Sequence, residues 1–173
     1  MRDAADVRAA AGTDARVLDA EGATILPGFI EPHAHVLPTA LFSVLEDVGP
    51  FRFDTVDEVL AHLRTLVADG EPGHWLAARQ FDPSLQSGPN ELTTDLLDTV
   101  SDTVPVIVVN ASLHFTYVNS AALAVAGLDR DTPDIPGSPY GRYADGRPNG
   151  VLVGQAAMLI NEGLVYYVVS RLN

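Results

Sequence analysis

Pro105-Val106-Ile107-Val108-Val109-Asn110 is a continuous β-branched run opened by a proline. A strand with one wet face alternates apolar and polar residues, whereas an unbroken run of this kind marks a strand buried on both faces. Such strands belong to sheets covered by crossover helices, and the flanking sequence supplies them. Upstream, residues 54–69 predict a helix. Thr55 and Glu58 have capping-box spacing, and Val56, Val59, Leu60, Leu63, Leu66 and Val67 form one apolar stripe. Gly70 stops it. Residues 75–79 then read as a strand, and residues 90–100 as a second helix with Leu92, Leu96, Leu97 and Val100 inward. Downstream, Asn119-Ser120 caps a third helix at 121–126, which Gly127 ends. Strand–helix alternation of this kind implies parallel strands with helical crossovers.

The outer segments are less regular. Residues 1–23 are rich in Ala and Asp, with a weak strand signal at 16–19. Residues 23–26 read as a short strand, and Phe29-Ile30 begins another after Pro27-Gly28. Residues 36–48 suit a loop or a short helix. Residues 129–150, with four of the twelve prolines, read as a long loop with a hairpin at Asp145-Gly146. Residues 150–173 are apolar and fit either helix or strand.

Composition narrows the function. The 173 residues are 47% hydrophobic and 19% charged, ordinary for a globular domain. No apolar run approaches the ~18 residues of a membrane span. The start, Met1-Arg2-Asp3-Ala4-Ala5-Asp6, lacks the order of a signal peptide, so a cytoplasmic location is expected. A net charge of -13, with ten arginines and no lysine, repels nucleic acid and anionic membranes. Without cysteine, any metal must be held by His, Asp, Glu or backbone oxygen.

His33 and His35 are the candidate donors. At i and i+2 on a helix they would diverge, but on a strand they share a face. Pro32 cannot donate to a ladder, so a strand through Phe29 and Ile30 would fray there. The imidazoles would then project together from its carboxyl end, where parallel α/β folds build their sites. By itself a His-x-His pair also fits a surface loop.

Leu26-Pro27-Gly28-Phe29-Ile30-Glu31-Pro32-His33-Ala34-His35 resembles the first-strand signature of the amidohydrolase superfamily. The succession that follows narrows the branch: Leu96-Leu97-Asp98-Thr99-Val100, Pro105-Val106, His114, Val118-Asn119-Ser120-Ala121-Ala122-Leu123, Ala126-Gly127, and Asp145-Gly146-Arg147-Pro148-Asn149-Gly150-Val151-Leu152. It resembles amidohydrolase family 3, the branch of N-substituted formamide deformylase-like enzymes, over roughly residues 17–160; residues 166–173 do not share the likeness.

The resemblance implies an α/β fold, part of a (β/α)8 TIM barrel (its first three or four strands) with a remnant of a small β-sandwich. Residues 1–26 would be the sandwich remnant and lead-in, and residues 27–173 the N-terminal part of the barrel. It implies a metal-dependent hydrolase of C–N bonds other than peptide bonds, acting by metal-activated water on a small-molecule amide, formamide or cyclic amide. His33 and His35 would bind a divalent metal, zinc being the expected one, although such a pair suits Zn, Fe, Mn or Ni alike. His114, Trp75 and Asp82 would contact substrate; the alternatives are a loop histidine, a core tryptophan and a turn aspartate. Asn119 fits a helix cap better than a substrate contact, and His62 is expected to be solvated.

Many relatives carry a glutamate after the Gly-x-Leu stretch, where this chain has Gly154 and Gln155, so a two-ion site is not implied. A complete barrel takes ~250 residues, and the later ligands and catalytic aspartate of relatives are not found here. The alternatives are therefore a truncated, inactive fragment or a small metal-binding or interaction module. An incomplete barrel would also expose apolar faces and favour self-association.

Overall fold

Two parallel strands, residues 76–81 and 106–110, form the centre of a mixed sheet. The computed structural model of the chain describes residues 3–32, 34, 36, 40, 42–71 and 73–158. Among these the strands are β1 (Glu46–Asp47), β2 (Leu76–Phe81), β3 (Val106–Asn110), β4 (Phe115–Val118), β5 (Tyr140–Arg142) and β6 (Pro148–Val153). The helices are α1 (Ala4–Ala11), α2 (Val56–Asp69), α3 (Thr94–Leu97), α4 (Ser120–Ala126) and α5 (Gln155–Met158). The sheet order is β1-β2-β3-β4-β6-β5. β1, β2 and β3 are parallel, whereas β4, β6 and β5 pair antiparallel.

The alternation of side chains along the strands builds two cores. Leu76, Ala78, Val106, Val108, Tyr117 and Val151 face α2 and the α3 segment, meeting Val56, Val59, Leu60, Leu63, Leu92, Leu97 and Val100. Ala77, Ile107, Val109, Val118, Tyr140 and Leu152 face the other way and meet Ala122 and Leu123 of α4 and Ala156 and Ala157 of α5. Every residue of β3 is buried, as its unbroken apolar run requires.

Parallel pairing with covered faces holds for β1–β3. The alternation fails after β3, because residues 110–115 are too few for a crossover helix and fold back as a tight connection into β4. The loop expected at 129–150 contains β5 and the start of β6. Their hairpin turns at Asp145-Gly146: Gly146 has φ 87°, and Tyr143 N–H donates to Arg147 O at 2.9 Å. The helix expected over 90–100 is regular only at Thr94–Leu97, although Leu92, Leu97 and Val100 are buried as read.

The chain divides into two units, residues 1–34 and 35–173. In the first, Asp3 caps α1 by accepting from Ala5 N–H at 3.0 Å. The strands expected at 16–19, 23–26 and 29–30 are not seen; these residues have no ladder partner among the described residues, and Phe29 and Ile30 are each 90% exposed. No helix among the described residues is long and apolar enough to cross a membrane.

Candidate functional site

The carboxyl ends of β1, β2 and β3 point the same way, the usual place for a site in parallel α/β sheets. The turn after β2 is held by Asp82 and Gln86. Asp82 Oδ1 accepts from Ser84 N–H at 2.9 Å and from Ser84 Oγ at 2.6 Å. Asp82 N–H donates to Gln86 Oε1 at 2.9 Å. Gln86 Nε2 donates to Val48 O and Phe53 O at 3.0 and 3.1 Å, tying this turn to the loop after β1. Asp82 therefore shapes the turn with the same carboxylate that is a candidate for substrate.

His114 lies in the connection between β3 and β4, at the same end of the sheet as Asp82, and is exposed. Its N–H donates to Ser112 Oγ at 3.3 Å, and its carbonyl accepts from Gly154 N–H at 3.0 Å. Trp75 precedes β2 at the opposite end, roughly 20 Å away at a strand's rise per residue. It is half-buried and lines a cavity of about 340 Å³ with Glu46, Leu66, His74 and Val104. Asp82 and His114 are thus brought to one end, and Trp75 is not brought to them. His33 and His35 lie outside the described residues. Among the described residues no group of three or more His, Asp or Glu is placed to hold a metal.

Two charged clusters escaped the sequence reading. His62 is not free in solvent: its Nε2 lies 2.9 Å from Glu46 Oε1, which also accepts from Arg52 at 2.9 Å. The His62 ring stacks on Phe53 with centroids 4.9 Å apart. Burial pulls the Glu46 carboxyl up, but the hydrogen bonds and charges of His62 and Arg52 outweigh it and hold the group below its ordinary value of 4.5. The second cluster pairs Arg79 Nη2 with Asp47 Oδ2 at 3.2 Å across β1 and β2. An arginine inside the otherwise apolar start of β2 was the sequence signal for it. The partners sit 16 and 32 positions away, which no local pattern encodes.

A mixed sheet between helices, with polar groups at the carboxyl ends of parallel strands, defines an α/β domain. Two solved structures share the fold, each an uncharacterized metal-dependent hydrolase, from Pyrococcus horikoshii OT3 and Pyrococcus furiosus. Each superposes with a TM-score of 0.52 at 15% identity. The first covers 79% of this chain and 24% of its own, the second 83% and 28%.

Residues 16–171 match the amidohydrolase family model, and the chain belongs to that family, in its family 3 branch. The match runs through residue 171, which corrects the expectation that residues 166–173 stand apart from the family. N-substituted formamide deformylase of Arthrobacter pascens is 35% identical over 90% of this chain and 29% of its own length. The exoenzymes regulatory protein AepA of Pectobacterium carotovorum is 37% identical over 81% and 31%, and the putative amidohydrolase YtcJ of Bacillus subtilis is 30% identical over 80% and 26%. The chain thus spans less than a third of the length of these curated relatives.

Proposed function

We propose that this chain supplies part of a metal-dependent hydrolase acting on C–N bonds other than peptide bonds, in a small amide, formamide or cyclic amide. The observation that carries the reading is the family match over residues 16–171, with the Pro27–Gly28 to His35 stretch inside it. The likeness to N-substituted formamide deformylase supports formamides as the first substrates to try.

His33 and His35 would be the metal donors. Neutral imidazole suits zinc and its first-row neighbours, so the donor chemistry fits. When bound, such a cation lowers the pKa of a coordinated water and polarises a carbonyl. Of the other candidates, His114 remains the better placed for a substrate contact, since it is exposed at the end where sites form. Asp82 already holds Ser84 through Oδ1. Of the sheet, β1–β3 are the strands that fit the opening wall of a (β/α)8 barrel, and antiparallel β4, β6 and β5 would be an addition to it.

Metal content tests this directly. The purified chain is loaded with zinc, dialysed against metal-free buffer and analysed by mass spectrometry beside His33→Ala and His35→Ala. More zinc in the wild type than in either variant is expected; equal content removes the pair from the site. Formate release from an N-substituted formamide, zinc-dependent and lost in His33→Ala, would extend the result to activity.

A further inference from the structure

Arg79 lies near the carboxyl end of β2, in register with Asp47 of β1 and Val109 of β3. Its side chain is 24% exposed. A guanidinium offers Nε–H and one Nη2–H side by side along one edge, a fork that matches the two oxygens of a carboxylate. Asp47 fills only half of it. One oxygen takes Arg79 Nη2 at 3.2 Å, long for a charge-assisted pair. The other accepts from Gly49 N–H at 2.9 Å, in the turn leaving β1. Arg79 Nε–H is therefore left buried without an acceptor, and among the described residues no other buried side-chain nitrogen or oxygen is left so. Buried donors are nearly always matched, and one that is not calls for a missing partner.

The backbone beside it is also unusual. Gln80 follows at φ 72°, where the ladder between β2 and β3 slips. A bulge re-aims neighbouring side chains. Non-glycine residues hold this conformation at a cost, and such residues gather at binding sites. Leu113 holds φ 63° in the connection after β3, at the same end of the sheet.

We propose that Arg79 is an anion-binding residue whose ligand is a small carboxylate. The ligand takes the Nε–H and Nη2–H edge side-on, and Asp47 gives up Nη2 while keeping Gly49. A monoanion fits better than a phosphate dianion because Asp47 stays close and repels the second charge. Asp47 thus both positions the guanidinium and competes with the ligand. This site needs neither metal nor turnover, so its failure and that of the hydrolase reading are separable.

Acetate is the probe. The Nε–H resonances of the ten arginines are followed by ¹H–¹⁵N correlation in the full chain at constant ionic strength. Arg79→Lys, which keeps the charge and removes the fork, assigns the Arg79 signal by its loss. The expected result is a saturable shift of that signal in the millimolar range, with the other arginine signals moving little. Asp47→Asn should tighten acetate binding by a factor of roughly 2–5, the worth of a partly exposed ion pair. The amide oxygen it introduces still accepts from Gly49 N–H but brings no charge to compete for the guanidinium. A shift that follows salt alone, is shared by the other arginines, or is no tighter in Asp47→Asn would overturn the proposal.

Discussion

Asn119 uses its whole side chain. The Oδ1 atom accepts from Ala122 N–H at 3.0 Å, capping α4, and from Val106 N–H at 2.9 Å, starting β3. The Nδ2 atom donates to Ser101 O at 2.7 Å and to Val104 O at 2.8 Å. The residue is fully buried, so each bond lost would strand a desolvated group. Sequence spacing showed the cap and not the other three bonds, because a capping pattern is local and the turn at 101–106 is not. Asn119→Asp keeps the two acceptor bonds and points an anion at two carbonyls. It should cost about 3–5 kcal/mol in urea unfolding, more than the ~1 kcal/mol typical of a lost cap. A cost near that lower figure would mean the carbonyl contacts contribute nothing. Gly150 makes a second case. At φ 84°, a side chain there would run into the Val118 carbonyl oxygen and Thr94. Gly150→Ala should therefore destabilise by about 2–4 kcal/mol in the same assay.

At the scale of elements, α2 was legible because its signals are local. Thr55 accepts from Glu58 N–H at 3.2 Å, and Glu58 Oε2 accepts from Thr55 N–H at 3.0 Å. Thr55→Ala should cost about 1 kcal/mol by thermal or urea unfolding. β1 was not legible, since two residues carry no period. It persists through its pairing with β2 and through side chains, Glu46 to His62 and Arg52, Asp47 to Arg79. Glu46 makes this hold on β1 depend on pH. An acid held below its ordinary value contributes stability that is complete above the unfolded value and lost as pH falls through the folded one. The stability difference between wild type and Glu46→Gln should thus be full above pH 4.5 and shrink below it. It should amount to at most about 1 kcal/mol, given the partial exposure of the pair. A difference that grows on acidification would exclude this role for Glu46. β4 escaped notice for a different reason. Phe115, Thr116, Tyr117 and Val118 suit a strand, but no turn glycine before them sets the run apart in the sequence.

At the scale of the whole molecule, long-range pairing decides what local patterns leave open. Residues 23–26 and 29–30 have strand composition, yet a strand needs a partner, and the described residues provide none to them. His33 and His35 stood out in the sequence as residue types and spacing, and both lie outside the described residues. The consequence is exposed apolar surface: Val17, Leu18, Ile25, Leu26, Phe29 and Ile30 are all exposed. Exposed apolar side chains favour association between chains, and a net charge of -13 only partly opposes it at physiological salt. Light scattering after size exclusion should show a mass that rises with concentration. Phe29→Ser combined with Ile30→Ser should return the chain toward monomer. Because both side chains are already in solvent, the double variant should leave the unfolding free energy within about 0.5 kcal/mol of wild type. Equal masses for the two proteins at every concentration would show that this stretch does not drive assembly. A lowered stability would show instead that Phe29 and Ile30 are packed in solution.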